Sequence, residues 1–294
     1  MLHPITFSIP REKIVDEVPK KTKFLSDLIP GNISTYVYAN EHDYYKEYQQ
    51  SLFATTTKKG GWDCMRHYEI IANGAIPYFP GIEQCPEKTM ALFPKQTVIK
   101  GNALFAKLNK KILDEEDMRE YTTVSRELLS YLRENLTTRK MAEYVLQRVC
   151  RSETKRILYL SGNVSPDYLR CVTLHGFKDL MGANCHDYPK VPHLYKTNHI
   201  DYSRLYGRGI TYSNLLDSMV RDDSLDNSIE DDIINRRYDL IIYGSYHRGM
   251  PFYDQVLRTY APSEIVLLCG EDEHICDCKN HVNKGYNVFV RELK

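Results

Sequence analysis

Residues 58–85 read KKGGWDCMRHYEIIANGAIPYFPGIEQC. Apolar residues at 64, 65, 68 and 71 recur at helical spacing and stop at Asn73-Gly74, which predicts a helix over 64–72. Before it, residues 51–57 (SLFATTT) predict a strand that closes in the turn Lys58-Lys59-Gly60-Gly61. After it, residues 75–79 (AIPYF) predict another strand, ended by Pro80-Gly81. Strand, glycine turn, helix, strand is an α/β unit. Its chemistry is legible from residue type. Gly60 and Gly61, beside Lys58 and Lys59, let backbone N–H groups approach an anion, and the helix directs its positive end there. Arg66, one turn in, adds a bidentate phosphate contact. Glu69 shares its helix face and is placed to accept from ribose hydroxyls. Glu83 and Gln84, at the end of the next strand, are placed to hold sugar hydroxyls. The same residues also fit a plainer picture, a solvated Arg66–Glu69 pair beside an ordinary turn.

Working outward, residues 34–38 (STYVY) predict a strand and residues 41–50 a helix. Residues 110–150 predict two charged helices with a break near 135–138. The alternation then resumes. Strands are predicted at 156–161 (RILYLS), 238–243 (YDLIIY), 264–269 (EIVLLC) and 287–291, with a helix over 169–180 and a short strand or loop at 184–187. Residues 194–232 are weakly patterned, with one helix expected near 212–220. The expected architecture is α/β, with two Rossmann-like domains facing a cleft. A donor-binding domain spans 1–110, a helical crossover 111–155 and a second Rossmann-like domain 156–294.

Composition limits the partners. The chain has 294 residues, with 39 Lys+Arg against 39 Asp+Glu, so no global basic field exists to hold nucleic acid. A hydrophobic fraction of 42% excludes a disordered acidic protein. Tyr is abundant, 23 against nine Phe, a bias that suits hydroxylated ligands such as sugars and also fits simple lineage bias. No secretory h-region and no membrane-length apolar run is present, which predicts a cytoplasmic protein with no membrane span. Cys269, His274, Cys276, Cys278 and His281 lie close in sequence. The one-residue gap between Cys276 and Cys278 does not match a zinc knuckle, so no metal site is expected. GxGxxG, GxxxxGK[ST], GxSxG and HExxH are all absent, which lowers dinucleotide oxidoreductases, P-loop enzymes, α/β-hydrolases and zincins.

The segment RHYEIIANGAIPYF resembles the R-x-x-E-A-x-x-x-G-C-I-P signature of exostosin-type glycosyltransferases. With Tyr44-Tyr45, KKGGWD at 58–63 and EQCP at 83–86, residues 30–95 are similar to glycosyltransferases of large algal DNA viruses (chloroviruses), a xylosyltransferase among them. Ile70 and Ala75 stand where the signature often has Ala and Cys. The resemblance implies a GT-B enzyme that transfers a sugar, with inversion, from a nucleotide-diphosphate sugar to a glycan hydroxyl. UDP is favoured over GDP, xylose is one candidate sugar, and a viral chain would act in host cytoplasm. It implies Arg66 on the diphosphate and Glu69 on the ribose. Lys59, Arg66 and a helix N-terminus would carry the leaving-group charge, so no cofactor or metal is required. A catalytically inactive nucleotide-sugar or glycan-binding module is the competing function.

In GT-B enzymes the donor domain generally comes second. Here it comes first, so a circularly permuted order is expected, with 287–293 running on into 5–10. Inversion needs a base. Asp167, after the strand at 156–161, is the first candidate, although the position equally fits a helix N-cap. His247 and Asp272 follow the next two strand ends, the latter within the cluster Glu271, Asp272, Glu273 and His274, and Arg248 is placed to meet the diphosphate from across the cleft.

Overall fold

The structure is a computed structural model that describes residues 1–197, 200–272 and 276–294. Glu273 and His274 of the predicted charge cluster lie outside the described residues. Among the described residues nine strands form, all in parallel pairs. They are β1 (Leu2–Pro4), β2 (Lys23–Leu25), β3 (Ser51–Thr55), β4 (Ile76–Tyr78), β5 (Ile157–Leu160), β6 (Cys185–Tyr188), β7 (Leu240–Tyr243), β8 (Ile265–Cys269) and β9 (Asn287–Val290). The helices are α1 (Glu41–Gln50), α2 (Met65–Ala72), α3 (Lys95–Leu108), α4 (Glu115–Asn135), α5 (Thr138–Arg148), α6 (Tyr168–Met181), α7 (Ile229–Ile234), α8 (Tyr253–Thr259) and α9 (Cys278–Asn283).

Two sheets result. A three-stranded sheet has the order β2-β3-β4, and a six-stranded sheet the order β1-β9-β8-β7-β5-β6. In the larger sheet β6 lies on one side of β5 and β7 on the other, which is the doubly wound pattern with its switch point at β5. β5, β7, β8 and β9 are buried at every position, because helices or loops cover both faces, and their apolar runs reflect that.

Helix starts are set by short polar caps. Asn40 caps α1, Asp114 and Asp117 form a capping box on α4, and Thr137 caps α5. The break predicted near 135–138 is the α4–α5 junction. It is tied to the N-terminal segment by Ile9 N–H donating to the Leu136 carbonyl and Thr138 N–H donating to the Ile9 carbonyl. α5 lies against α6 so closely that a side chain at Gly176 would meet the Thr138 carbonyl oxygen.

Three expectations fail. Residues 34–38 are not a strand. Asn32 caps a 3-10 turn (Ile33–Thr35), and the chain then continues without a ladder partner. The helix expected near 212–220 is a loop with one 3-10 turn, Ser218–Val220, started by the Asp217 carboxylate. The chain ends are also arranged differently. β1 joins the six-stranded sheet as the parallel neighbour of β9, with Leu2 opposite Val288 and Pro4 opposite Val290. Residues 287–293 therefore run beside 1–7 in the same direction, rather than on into them. Residues 5–10 are buried and carry Ile5, Phe7 and Ile9 into a hydrophobic core that includes side chains from both sheets. Among the described residues, no helix is long and apolar enough to cross a membrane.

Candidate functional site

A cavity of about 740 Å³ lies between the first-half loops and the carboxyl ends of the six-stranded sheet. That size matches small-molecule sites, and strand carboxyl ends are where open α/β sheets bind ligands. Lys59 and the start of α2, which follow β3, form one wall. Asp167 after β5, Arg248 after β7, and Gly270 to Asp272 after β8 form the opposite one. Tyr36, Tyr38, Tyr44, Tyr168 and Tyr206 also line it, so part of the tyrosine excess is gathered here.

Arg66 is the distinctive group. Its Nε and Nη1 are buried and have no hydrogen-bond partner among the described residues, while its guanidinium lies over the Tyr36 ring, 5.5 Å from the centroid. No Arg66–Glu69 ion pair forms; Glu69 instead takes hydroxyl hydrogen bonds from Tyr44 (2.7 Å) and Thr211 (2.5 Å). The first turn of α2 has no side-chain cap and no acidic residue. Burial, and then the Arg66 charge, lower the Lys59 pKa. Two cations and an uncapped helix start thus face one volume, whose carboxylates hold partners of their own.

The carboxylates around the cavity are already partnered. Burial raises the Glu69 pKa, opposed by its hydrogen bonds from Thr211 and Tyr44 and by the Arg66 charge. Asp63 accepts from Phe7 N–H and Tyr68 Oη–H at 2.8 Å each, and burial pushes its pKa up to about 6 against the pull of Arg291. Asp167 caps α6 through Arg170 N–H (2.9 Å), accepts from Ser245 Oγ–H (2.7 Å) and lies 3.4 Å from Arg248 Nε. Glu271 accepts from Arg248 at 3.1 Å and meets His247 Nε2 at 2.5 Å. Asp272 pairs with Arg291.

Several predicted residues are placed otherwise than expected. Gly60 and Gly61 do not line the cavity. A side chain at Gly60 would meet Asp272, and one at Gly61 would meet Glu292, so the glycines allow close packing of the turn on two carboxylates. The backbone N–H groups of Trp62 and Asp63 donate to Glu292 at 3.0 and 2.9 Å. The anion held by this turn is therefore the chain's own carboxylate. Glu83 and Gln84 are exposed and lie outside the cavity wall, because the 3-10 turn Ile82–Gln84 follows β4 away from it. Asp167 is the helix cap that its position also allowed. His247 lies behind Glu271 rather than on the wall, and Arg248 lines the wall with its charge shared between Asp167 and Glu271. Lys59, Arg66, Glu69, Asp167, Arg248 and Asp272 do come together around one volume.

Sequence reasoning missed the clamp formed by Arg291 and Glu292. Arg291 is fully buried, and its guanidinium donates to the Gly270 and Asp63 carbonyls and to Asp272. Together they fasten the segment after β9 to the turn before α2. A buried charge pair at a strand end was the available signal. No known protein family, no curated protein and no solved structure matches the chain.

Proposed function

We propose that the chain is a glycosyltransferase that takes a nucleotide-diphosphate sugar, UDP favoured, into this cavity and transfers the sugar to a glycan hydroxyl. The observation that carries the reading is Arg66. A buried guanidinium with unpartnered nitrogens, next to Lys59 and an uncapped helix start, is matched to a diphosphate leaving group. Burying such donors unpaired costs about 1–3 kcal/mol each, and a bound diphosphate would remove that cost. In this reading the three-stranded half is a GT-B donor domain that precedes its acceptor domain, in permuted order. Tyr36, Tyr38 and Tyr44 supply aromatic faces and hydroxyls for nucleoside and sugar. Inversion places the acceptor hydroxyl against a base. We assign that role to Asp272, which lines the cavity and keeps a 62% exposed side chain, ahead of Asp167, which has three donors around it.

A second reading has a specific observation behind it. Asp167 Oδ2 already accepts from Ser245 and His247 Nε2 is held by Glu271, as a nucleotide-sugar-binding module without turnover would allow. Sugar transfer from a panel of UDP-sugars, with UDP release as readout, separates the two. Transfer that is abolished by Asp272→Asn, kept by Asp167→Asn (which preserves the cap) and insensitive to EDTA is the expected result. UDP binding with no release from any donor would establish the second reading. Activity lost with EDTA and restored by Mn²⁺ would contradict the charge-stabilisation scheme.

A further inference from the structure

Behind Glu271, outside the cavity wall, three metal-ligand atoms converge. His247 offers a ring nitrogen, and Cys269 and Cys276 offer sulfurs, all within 4.8 Å of one another. Cys269 is the last residue of β8 and is 1% exposed, Cys276 is 8% exposed, and their sulfurs are in disulfide contact. His247 Nε2 faces Glu271 Oε1 at 2.5 Å, while Nδ1 is buried with no partner among the described residues. An Nε2–H held by a carboxylate selects the tautomer with a lone pair on Nδ1, and a ligating histidine is typically held this way. The sequence offered only a spacing without a zinc pattern. The third ligand comes from the turn after β7, some twenty residues earlier, and only the sheet brings it close.

We propose that, with the cysteine pair reduced, His247 Nδ1, Cys269 Sγ and Cys276 Sγ hold a zinc-type divalent cation. A phosphine or dithiol reductant supplies the two electrons that turn the disulfide into two thiols. On binding, both thiols give their protons to solvent, two sulfur–metal bonds and one nitrogen–metal bond form, and no electron moves. Water completes a tetrahedral set. Two thiolates and an imidazole select zinc or cobalt and reject magnesium, calcium and manganese. The ion staples the segment after β8 to the turn after β7. It therefore holds Glu271, which orients Arg248 and, through it, Asp167. The test reads metal binding alone, so it stands whether or not the chain is an enzyme.

The test uses the full chain, reduced with a phosphine and titrated anaerobically with cobalt(II) and then zinc. The expected result is a thiolate-to-cobalt charge-transfer band that saturates near one equivalent and is discharged by zinc. Cys276→Ser should abolish the band, His247→Gln should weaken cobalt affinity at least tenfold, and Cys150→Ser, at an exposed free cysteine, should leave it intact. Zinc should also shield Cys269 and Cys276, but not Cys150, from alkylation. If Cys276→Ser does not fold, the His247→Gln titration and the alkylation map decide. A reduced chain with native circular dichroism and no charge-transfer band would overturn the site, as would a band of equal strength in His247→Gln.

Discussion

Replacing Arg66 with methionine should separate ligand affinity from stability. Methionine keeps the stem over Tyr36 but removes the guanidinium, whose Nε and Nη1 are buried without partners. In the ligand-free protein the change should be neutral or stabilising, because each unpaired donor costs about 1–3 kcal/mol. At roughly 2–4 °C per kcal/mol for a chain of this order of size, the melting temperature should hold or rise by a few degrees. With UDP at about a hundredfold excess over Kd, wild-type protein should gain about 2.7 kcal/mol by linkage. Losing about 3 kcal/mol of charge-assisted hydrogen bonding weakens UDP roughly 150-fold, so the same UDP concentration should stabilise the variant by only about 0.3 kcal/mol. Differential scanning calorimetry of both proteins, with and without UDP, reads all four quantities. Equal UDP shifts in the two proteins would refute the assignment of Arg66 to the diphosphate. A ligand-free variant several degrees less stable than wild type would show that Arg66 has structural partners instead.

Three further outcomes follow from the packing. Burial pushes the Asp63 carboxyl up to about 6, above the ordinary aspartate value near ~3.9, so the neutral form is favoured in the fold. Its contribution is complete below about pH 4 and lost as pH rises through 6, so the stability difference between wild type and Asp63→Asn should fall by about 3 kcal/mol across that window. A flat difference curve from urea titrations at each pH would rule this out. Gly176→Ala should destabilise by at least about 1–3 kcal/mol, because α5 must move off the Thr138 carbonyl; an unchanged urea midpoint would mean that α5 and α6 are not in contact. Glu292→Ala strips the Trp62 and Asp63 N–H groups of their acceptor and removes a partner of buried Arg291. It should cost about 3 kcal/mol and loosen residues 59–64 in hydrogen exchange, and exchange there at the wild-type rate would contradict the clamp.

What could be read from the chain was what local pattern determines. α1 spans the predicted Glu41–Gln50, α2 stops at Asn73-Gly74, and β5, β7 and β8 lie within their predicted runs, because apolar periodicity and caps act over a few residues. β1 and β2 are three-residue strands with little pattern of their own, and exist because β9 and β3 offer ladders. Residues 34–38 have strand-like composition but no neighbouring strand, and Tyr36 and Tyr38 line the cavity instead. At the site, Arg66 and Glu69 follow from helix spacing. The glycine pair misled for a definite reason: a glycine turn before a helix allows close approach of any anion, and here Glu292, more than two hundred residues away, fills it. The His247, Cys269 and Cys276 grouping has no linear spacing to read at all, since two neighbouring strands bring it together.

The most direct test is an isothermal titration of the wild-type chain with UDP, GDP, UMP and inorganic phosphate in the presence of EDTA. The account predicts saturable binding of one nucleoside diphosphate per chain, UDP tighter than GDP. UMP should be weaker by tenfold or more, because it lacks the second phosphoryl group that Arg66 and Lys59 would hold. Binding of UMP as tight as UDP, or no heat from any nucleoside diphosphate, would contradict a diphosphate site at the start of α2.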